Sequence, residues 1–192
     1  MEQSDWELVR QCKSGDRQAF RELVERYQRK AVAIAFGILH DREDALEVAQ
    51  EAFAKVFTGI QKFKEEASFY TWLYRITVNL AIDRQRQKNR QPLLEREDSR
   101  EGENARTARI EGIPDSAEAD PYEQVKDKEL GERIRVALAE LTPAHKAVIL
   151  LREVEGLSYE EISEVLQCSR GTVMSRLHYA RKKLQSRLRR DL

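Results

Sequence analysis

The chain has 192 residues, 34 basic and 34 acidic, with 41% hydrophobic and 35% charged side chains and a formal net charge of zero. That length holds one medium domain or two small ones, and so charged a composition favours small cores over one large core. No apolar run is long enough for a bilayer and the N-terminus lacks a signal-peptide pattern, so a cytoplasmic protein that is not itself a membrane protein is expected.

The first ninety residues read as helices. Ser4 with Glu7 forms a capping box ahead of a short helix that Gly15 ends. Asp16 caps the next, where Phe20, Leu23, Val24, Tyr27, Ala31, Ile34, Ala35 and Ile38 keep the spacing of one buried face. Asp41 caps a third helix running to about Thr58, with apolar positions at Ala45, Leu46, Val48, Ala49, Ala52, Phe53, Val56 and Phe57, and Gly59 as its stop. A loop near Lys62 to Ser68 leads into a fourth helix, from about Phe69 to Lys88, and Pro92 closes the block.

Residues 95–121 carry Gly102, Gly112, Pro114 and Pro121, with only Ile110 and Ile113 as large apolar residues. They cannot bury enough surface to order themselves, and read as a linker between two helical domains, 1–94 and 122–192. In the second domain Val125, Leu130, Ile134, Ala137, Leu138 and Leu141 line one helix. Thr142-Pro143 supplies an N-cap and a first-position proline for the next, which carries Ala147, Val148, Leu150 and Leu151 and which Gly156 ends. Ser158 with Glu161 caps a short helix holding Ile162, Val165 and Leu166. Gln167 to Ser169 then separate it from a last helix with Val173, Leu177, Ala180 and Leu184 inside. The fold class is all-α.

The zero net charge hides three blocks. Residues 84–90 carry +4, residues 95–121 carry −5 and residues 168–192 carry +7. Two basic blocks around an acidic segment fit two contacts on a polyanion; solvated helix ends account for the same charges. Cys12 and Cys168 read as free buried thiols, and His40, His145 and His178 have no ligand spacing, so neither metal nor cofactor is expected.

The final pair of helices is a helix-turn-helix. With Val173, Leu177 and Ala180 turned inward, the last helix presents Arg170, Gly171, Met174, Ser175, His178 and Tyr179. Small and polar residues near its N-terminus suit base edges in a major groove. Arg176, Arg181, Lys182 and Lys183 suit phosphates. A generic helical hairpin with a solvated basic face is the plainer reading. On the fourth helix, Leu73, Ile76 and Leu80 share one face and Tyr74, Val78 and Ile82 a second. The arc between them holds Trp72, Arg75, Asn79, Asp83 and Arg86. Aromatic faces stack on splayed bases, Asn reads base edges and Arg grips phosphate; Trp72 by itself fits a core as well. On the third helix Glu43, Glu47, Gln50 and Glu51 form an acidic, amide-bearing stripe, which suits a basic protein partner or simple solubility.

Three stretches, "DREDALEVAQEAFAKVF", "SFYTWLYRITVNLAIDRQR" and "EGLSYEEISEVLQCSRGTVMSRLHYARKKL", together resemble bacterial sigma factors of the extracytoplasmic-function group, in the family's order and spacing. The resemblance implies sigma region 2 in residues 1–94, region 4 in 122–192, and a linker where larger relatives carry another domain. It implies a non-enzymatic transcription initiation factor whose partners are core RNA polymerase, through its clamp coiled coil and flap, and promoter DNA. It also implies an anti-sigma factor, in this family often membrane-bound. The core-polymerase site maps to Asp44, Glu47, Gln50, Glu51 and Phe53. The −10 site maps to Phe63, Tyr70, Trp72, Arg75, Asn79, Asp83, Arg84 and Arg86, and the −35 site to Arg170, Gly171, Thr172, Met174, Ser175, Arg176, His178, Tyr179 and Arg181. Met174 stands where the family is often basic, so base preference at −35 does not carry over. A self-sufficient helix-turn-helix regulator is the competing class, and it predicts palindromic duplex binding without polymerase.

Overall fold

The computed structural model describes residues 3–64, 67–90, 131 and 133–190, and every regular element among them is helical. The N-terminal half contains α1 (Asp5–Lys13), α2 (Arg17–Leu39), α3 (Arg42–Gly59), a 3₁₀ turn (Ile60–Lys62) and α4 (Phe69–Arg90). The C-terminal half contains α5 (133–139), α6 (Pro143–Ile149), a π turn (Leu150–Val154), α7 (Tyr159–Leu166) and α8 (Arg170–Arg190). The linker 95–121 lies outside the described residues, as do Pro92, Val125 and Leu130.

The helix starts follow from capping chemistry. The Ser4 hydroxyl accepts the Glu7 N–H at 3.3 Å while the Glu7 carboxylate accepts the Ser4 N–H at 2.8 Å. The Ser158–Glu161 box repeats this at 3.2 and 2.7 Å. Asp16, Asp41 and Thr142 cap α2, α3 and α6, each cap worth about 0.5–2 kcal/mol. Two ends differ from expectation. The fourth helix runs on to Arg90, and α6 gives way at Leu150 to the π turn before Gly156, at φ +71°, reverses the chain.

Packing departs further from the sequence reading. In place of two small cores, one continuous apolar cluster runs from Leu8 on α1 to Ala180 on α8. Each large side chain fully buried there, such as Leu23, Leu73, Leu151 or Ile162, contributes about 1.5–3 kcal/mol. The halves join because α7 packs on α4 and α6 on α2. Gly37 makes the second contact possible: a Cβ there would lie 2.6 Å from Leu150 Cδ1. The cost of a mid-helix glycine, roughly 0.5–1 kcal/mol relative to alanine, is offset by the flat surface it gives Leu150. Leu46, Phe57 and Ile134 stay outside the core, at 42%, 50% and 40% exposure. Of the cysteines, Cys12 is buried and Cys168 only half-buried.

A lysine crosses the junction. Lys146 is buried, and its ammonium donates to the Ile38 carbonyl at 3.3 Å. The last carbonyls of a helix lack internal partners and carry the negative end of its dipole, so Lys146 caps α2 from the other half of the molecule. Next to it, His40 closes α2 in the left-handed conformation (φ 57°), its ring nitrogens buried without hydrogen bonds. Burial, with Lys146 and Arg135 facing it, lowers the His40 pKa to about 4; burial lowers that of Lys146 to about 8.

Candidate nucleic-acid interface

Three surfaces carry the residues expected to act, and the fold treats each differently. On α3, Glu47, Gln50 and Glu51 are exposed as predicted. Asp44 and Phe53 turn inward. Asp44 forms ion pairs with Arg84 (3.4 Å) and Lys88, and Arg84 reaches on to Glu47 at 3.0 Å. The partly buried pairing holds the Lys88 ammonium above its ordinary pKa, chiefly through the Asp44 bond. Three of the four cations at residues 84–90 are therefore paired: Arg84 and Lys88 with α3 and its cap, and Arg86 with Asp83 at 3.6 Å. The exposed Leu46 and Phe57 share a face with Gln50, adding an apolar seam to the acidic stripe. The three-and-four spacing of 46, 50, 53 and 57 was visible in the sequence; which side of that stripe met the core was not.

On α4 the aromatics form one cluster. Phe63 is buried between Trp6 and Trp72, stacking on them at 6.0 and 4.6 Å, and Phe69 meets Trp72 edge-on at 6.3 Å. Trp72 is half-buried and closely covers Gly59, where a Cβ would sit 3.3 Å from its ring. Its remaining face opens on a cavity of about 640 Å³ shared with Lys62, Lys64, Ala67, Thr71 and Arg75. Of the loop Lys62 to Ser68, the family resemblance picks out Phe63; the structure brings Lys62, Lys64 and Ala67 to the same cavity. Ser68 organises the helix start: its hydroxyl accepts the Thr71 N–H at 3.2 Å and pairs with the Thr71 hydroxyl at 2.6 Å. Asn79, Asp83 and Arg86 are exposed further along the same arc, in a second cleft of about 330 Å³. The arc thus divides, with an aromatic–basic cavity at its start and a polar stripe beyond.

The far wall of both clefts belongs to the C-terminal half. Glu164 of α7 and Gln167, its C-cap, line the first, and Ala144, Leu166 and Arg176 line the second. The Tyr70 hydroxyl donates to Glu161, and the Tyr74 hydroxyl to Glu155 at 2.7 Å. The bond to Glu161 raises the Tyr70 pKa, while burial, then the bond to Glu155, raises that of Tyr74.

The helix-turn-helix has the predicted geometry. Ile162 and Val165 of α7 pack with Val173, Leu177 and Ala180 of α8, all buried. Gln167 takes the left-handed turn at φ 49°, and the Ser169 hydroxyl accepts the Thr172 N–H at 3.2 Å. Arg170, Gly171, Met174, Ser175, His178 and Tyr179 are exposed along α8, Met174 and Tyr179 both at 52%. Thr172 and Arg176 are half-buried. Tyr179 packs on His145 at 4.7 Å. Arg170 pairs with Glu160 at 2.9 Å, and Arg181 is held by Glu153 at 2.6 Å. An open helix face rich in small and polar residues, flanked by guanidiniums, can enter a major groove.

Comparison with known proteins accounts for this combination. The family model for Sigma-70 region 2 matches residues 23–91, and that for Sigma-70 region 4 matches residues 131–184. The chain is 34% identical to the RNA polymerase sigma-H factor of Pseudomonas aeruginosa, covering 97% of this chain and 95% of the relative. It is 35% identical to the ECF RNA polymerase sigma-E factor of Haemophilus influenzae (96% and 95%) and 34% identical to SigW of Bacillus subtilis (94% and 95%). The fold is similar to CnrH in complex with the cytosolic domain of CnrY, with TM-score 0.67 at 23% identity over 98% and 99% of the two chains. It is also similar to RpoE of Bartonella quintana in complex with the anti-sigma factor NepR, with TM-score 0.66 at 20% identity over 90% and 98%. The chain belongs to the extracytoplasmic-function sigma factors, the alternative sigma factors that direct RNA polymerase to promoters.

Proposed function

We propose that the three surfaces divide promoter initiation among them, with no catalytic step performed by this chain. The α3 face, with Glu47, Gln50 and Glu51 beside the exposed Leu46 and Phe57, docks on core polymerase. Asp44 and Phe53 shape that face from beneath, since both are buried. The α8 face reads the −35 duplex, its arginines holding phosphates. The α4 arc captures unpaired −10 bases: Trp72 offers a ring, Arg75 a charge and Asn79 an amide. Base–aromatic stacking is worth about 1–3 kcal/mol per base, so capture of unstacked bases drives opening without a nucleotide cofactor.

The observation that carries this reading is the presence in one chain of an open helix-turn-helix face and a separate aromatic–basic cavity. A reader of duplex alone has no use for the second. The chain acts in the cytoplasm, beside polymerase; no helix among the described residues is long and apolar enough to cross a membrane. An anti-sigma protein, of the kind named with the Bartonella relative, is the expected regulator.

Transcription with purified core polymerase, followed by mapping of start sites, tests the assignment. Start sites sharing two spaced elements are expected. Glu51→Arg is expected to abolish the specific transcripts and Asn79→Ala to reduce melting at the −10 element. Specific binding to a palindromic duplex, unchanged by core polymerase, would instead support a self-sufficient regulator.

A further inference from the structure

The turn that leads from α3 to the aromatic cavity is held from a helix outside the cavity. Lys62 and Lys64 line the cavity, and Phe63 stacks on Trp72 at 4.6 Å. The placement of this turn therefore decides where two cations stand and how the Trp72 ring lies. A single 3₁₀ turn has poor hydrogen-bond geometry of its own, so its placement depends on what it packs against. Within it the Phe63 N–H closes on the Ile60 carbonyl at 3.2 Å, and the backbone then runs extended.

α1 supplies the outside support through three contacts. The Lys13 ammonium donates to the Phe63 carbonyl at 2.8 Å, and the Gln61 amide donates to the Lys13 carbonyl at 2.7 Å. The Trp6 ring stacks on Phe63 at 17° from parallel, and Phe63 lies 18° from parallel with Trp72. Trp6, Phe63 and Trp72 thus form one pile of rings, with α1 at its back and the cavity at its front. α1 is itself pinned to α2, because the Asp5 carboxylate accepts from Arg26 at 2.5 Å and from the Tyr27 hydroxyl. The bond from Lys13 is charge-assisted, and such bonds are roughly twice as strong as neutral ones.

We propose that Lys13 is a positioning residue for single-strand capture, with Trp6 as its partner. Through Phe63, α1 fixes the plane of Trp72 and the cations beside it before a strand arrives. The proposal rests on the reading of the α4 arc as the −10 site. Lys13 is not among the residues that line the cavity, so it acts through the turn and not on the strand. Both Lys13 and Trp6 precede residue 23, where the match to region 2 begins. A turn ordered in advance spares binding the cost of ordering it.

The test uses the full chain and a short fluorescent single strand carrying the −10 sequence of a mapped start site. Lys13→Met keeps the aliphatic stem and removes the donor. It is expected to weaken strand binding about tenfold, the worth of one hydrogen bond to a charged group, with an unchanged salt slope. Lys13→Arg restores a donor and is expected to recover most of that affinity. Gln61→Ala is expected to cost about threefold, as for a neutral bond. In a Trp6→Phe background Trp72 is the sole tryptophan, and there Lys13→Met is expected to raise quenching of its emission by acrylamide. Affinity for a −35 duplex is expected to stay within about twofold, since α8 is distant from the turn. Leu8→Val, at a buried position about 200° round α1 from Trp6, measures the effect of lost stability alone. The proposal is overturned if Lys13→Met leaves strand affinity within about twofold, or if Leu8→Val loses as much affinity at equal loss of stability. It is overturned too by a salt slope flattened by about 0.7, the mark of a direct phosphate contact. Should Lys13→Met fail to fold, Gln61→Ala, at an exposed residue, decides by the same criteria. Each of these results leaves the −10 reading standing while Trp72→Ala weakens strand binding; if Trp72→Ala leaves it unchanged, that reading falls and the proposal with it.

Discussion

The two helices proposed to read promoter DNA, α8 and α4, set out their side chains in different ways. On α8 the working residues are small, polar and exposed, and the core behind them, Val173, Leu177 and Ala180, is wholly separate from the face in front. On α4 no such separation exists. Trp72 is half-buried, stacked on Phe63, and backed by Gly59. A groove reader needs a convex ridge that clears its surroundings. A receptor for unpaired bases needs a recess in which aromatic faces are held flat, so its functional residues must share side chains with the core. A recess, unlike a ridge, has walls, and here Glu164 of α7 forms part of one.

The largest expected effects test whether the two cores are one. Leu177→Ala and Leu73→Ala each remove a buried side chain and are each expected to cost about 2–5 kcal/mol. Because a single cluster joins the halves, chemical denaturation is expected to show one transition, shifted by either substitution; two independent transitions would divide the molecule. Next, Trp72→Ala is expected to weaken single-strand binding by about 1–3 kcal/mol with little change in its salt dependence. Arg176→Ala is expected to lower duplex affinity and flatten its salt dependence, since each phosphate contact releases counterions. Equal salt effects from both would erase the contrast between stacking and charge.

Smaller effects bear on the junction. His40 has its pKa lowered from 6.5 to about 4 and Lys146 from 10.5 to about 8. For both, the separated state binds more protons than the packed one, so stability of the junction rises with pH across each interval. Scattering is expected to show a chain that loosens as pH falls from about 6.5 toward 4 and tightens as pH rises from about 8 toward 10.5. His40→Phe is expected to remove the acid limb, and Lys146→Met the alkaline one. Smallest of all, Glu51→Arg is expected to change stability by no more than about 0.5 kcal/mol, as an exposed surface change, while abolishing core-polymerase binding.

Residues no more than a few positions apart made much of this legible. The caps at Ser4, Asp16, Asp41, Thr142 and Ser158, the turn at Gln167 to Ser169, and the inward faces of α2 and α8 all follow from local hydrogen bonding and a 3.6-residue period. The same local patterns carried the resemblance to sigma regions 2 and 4. The period also drew the arc of α4 correctly, but it could not say what stood opposite. On α3, an apolar residue and a carboxylate one turn apart look alike whichever side meets the core. Only the packed structure turned Asp44 and Phe53 inward and left Leu46 and Phe57 out.

Chain separation explains the remainder. Arg84 finds Asp44 across 40 residues, Tyr70 finds Glu161 across 91, and Lys146 finds Ile38 across 108. No short-range rule encodes such pairs, because each depends on which faces are left over once every helix has formed. The sequence by itself determined the helices, their caps, the helix-turn-helix and the family. Tertiary structure decided that the basic tail of α4 is half spent on α3, that the two halves share one core, and that α7 packs along α4. The physical reason is that helix formation is settled within a turn or two, whereas burial is settled only when distant apolar faces compete for the same partner.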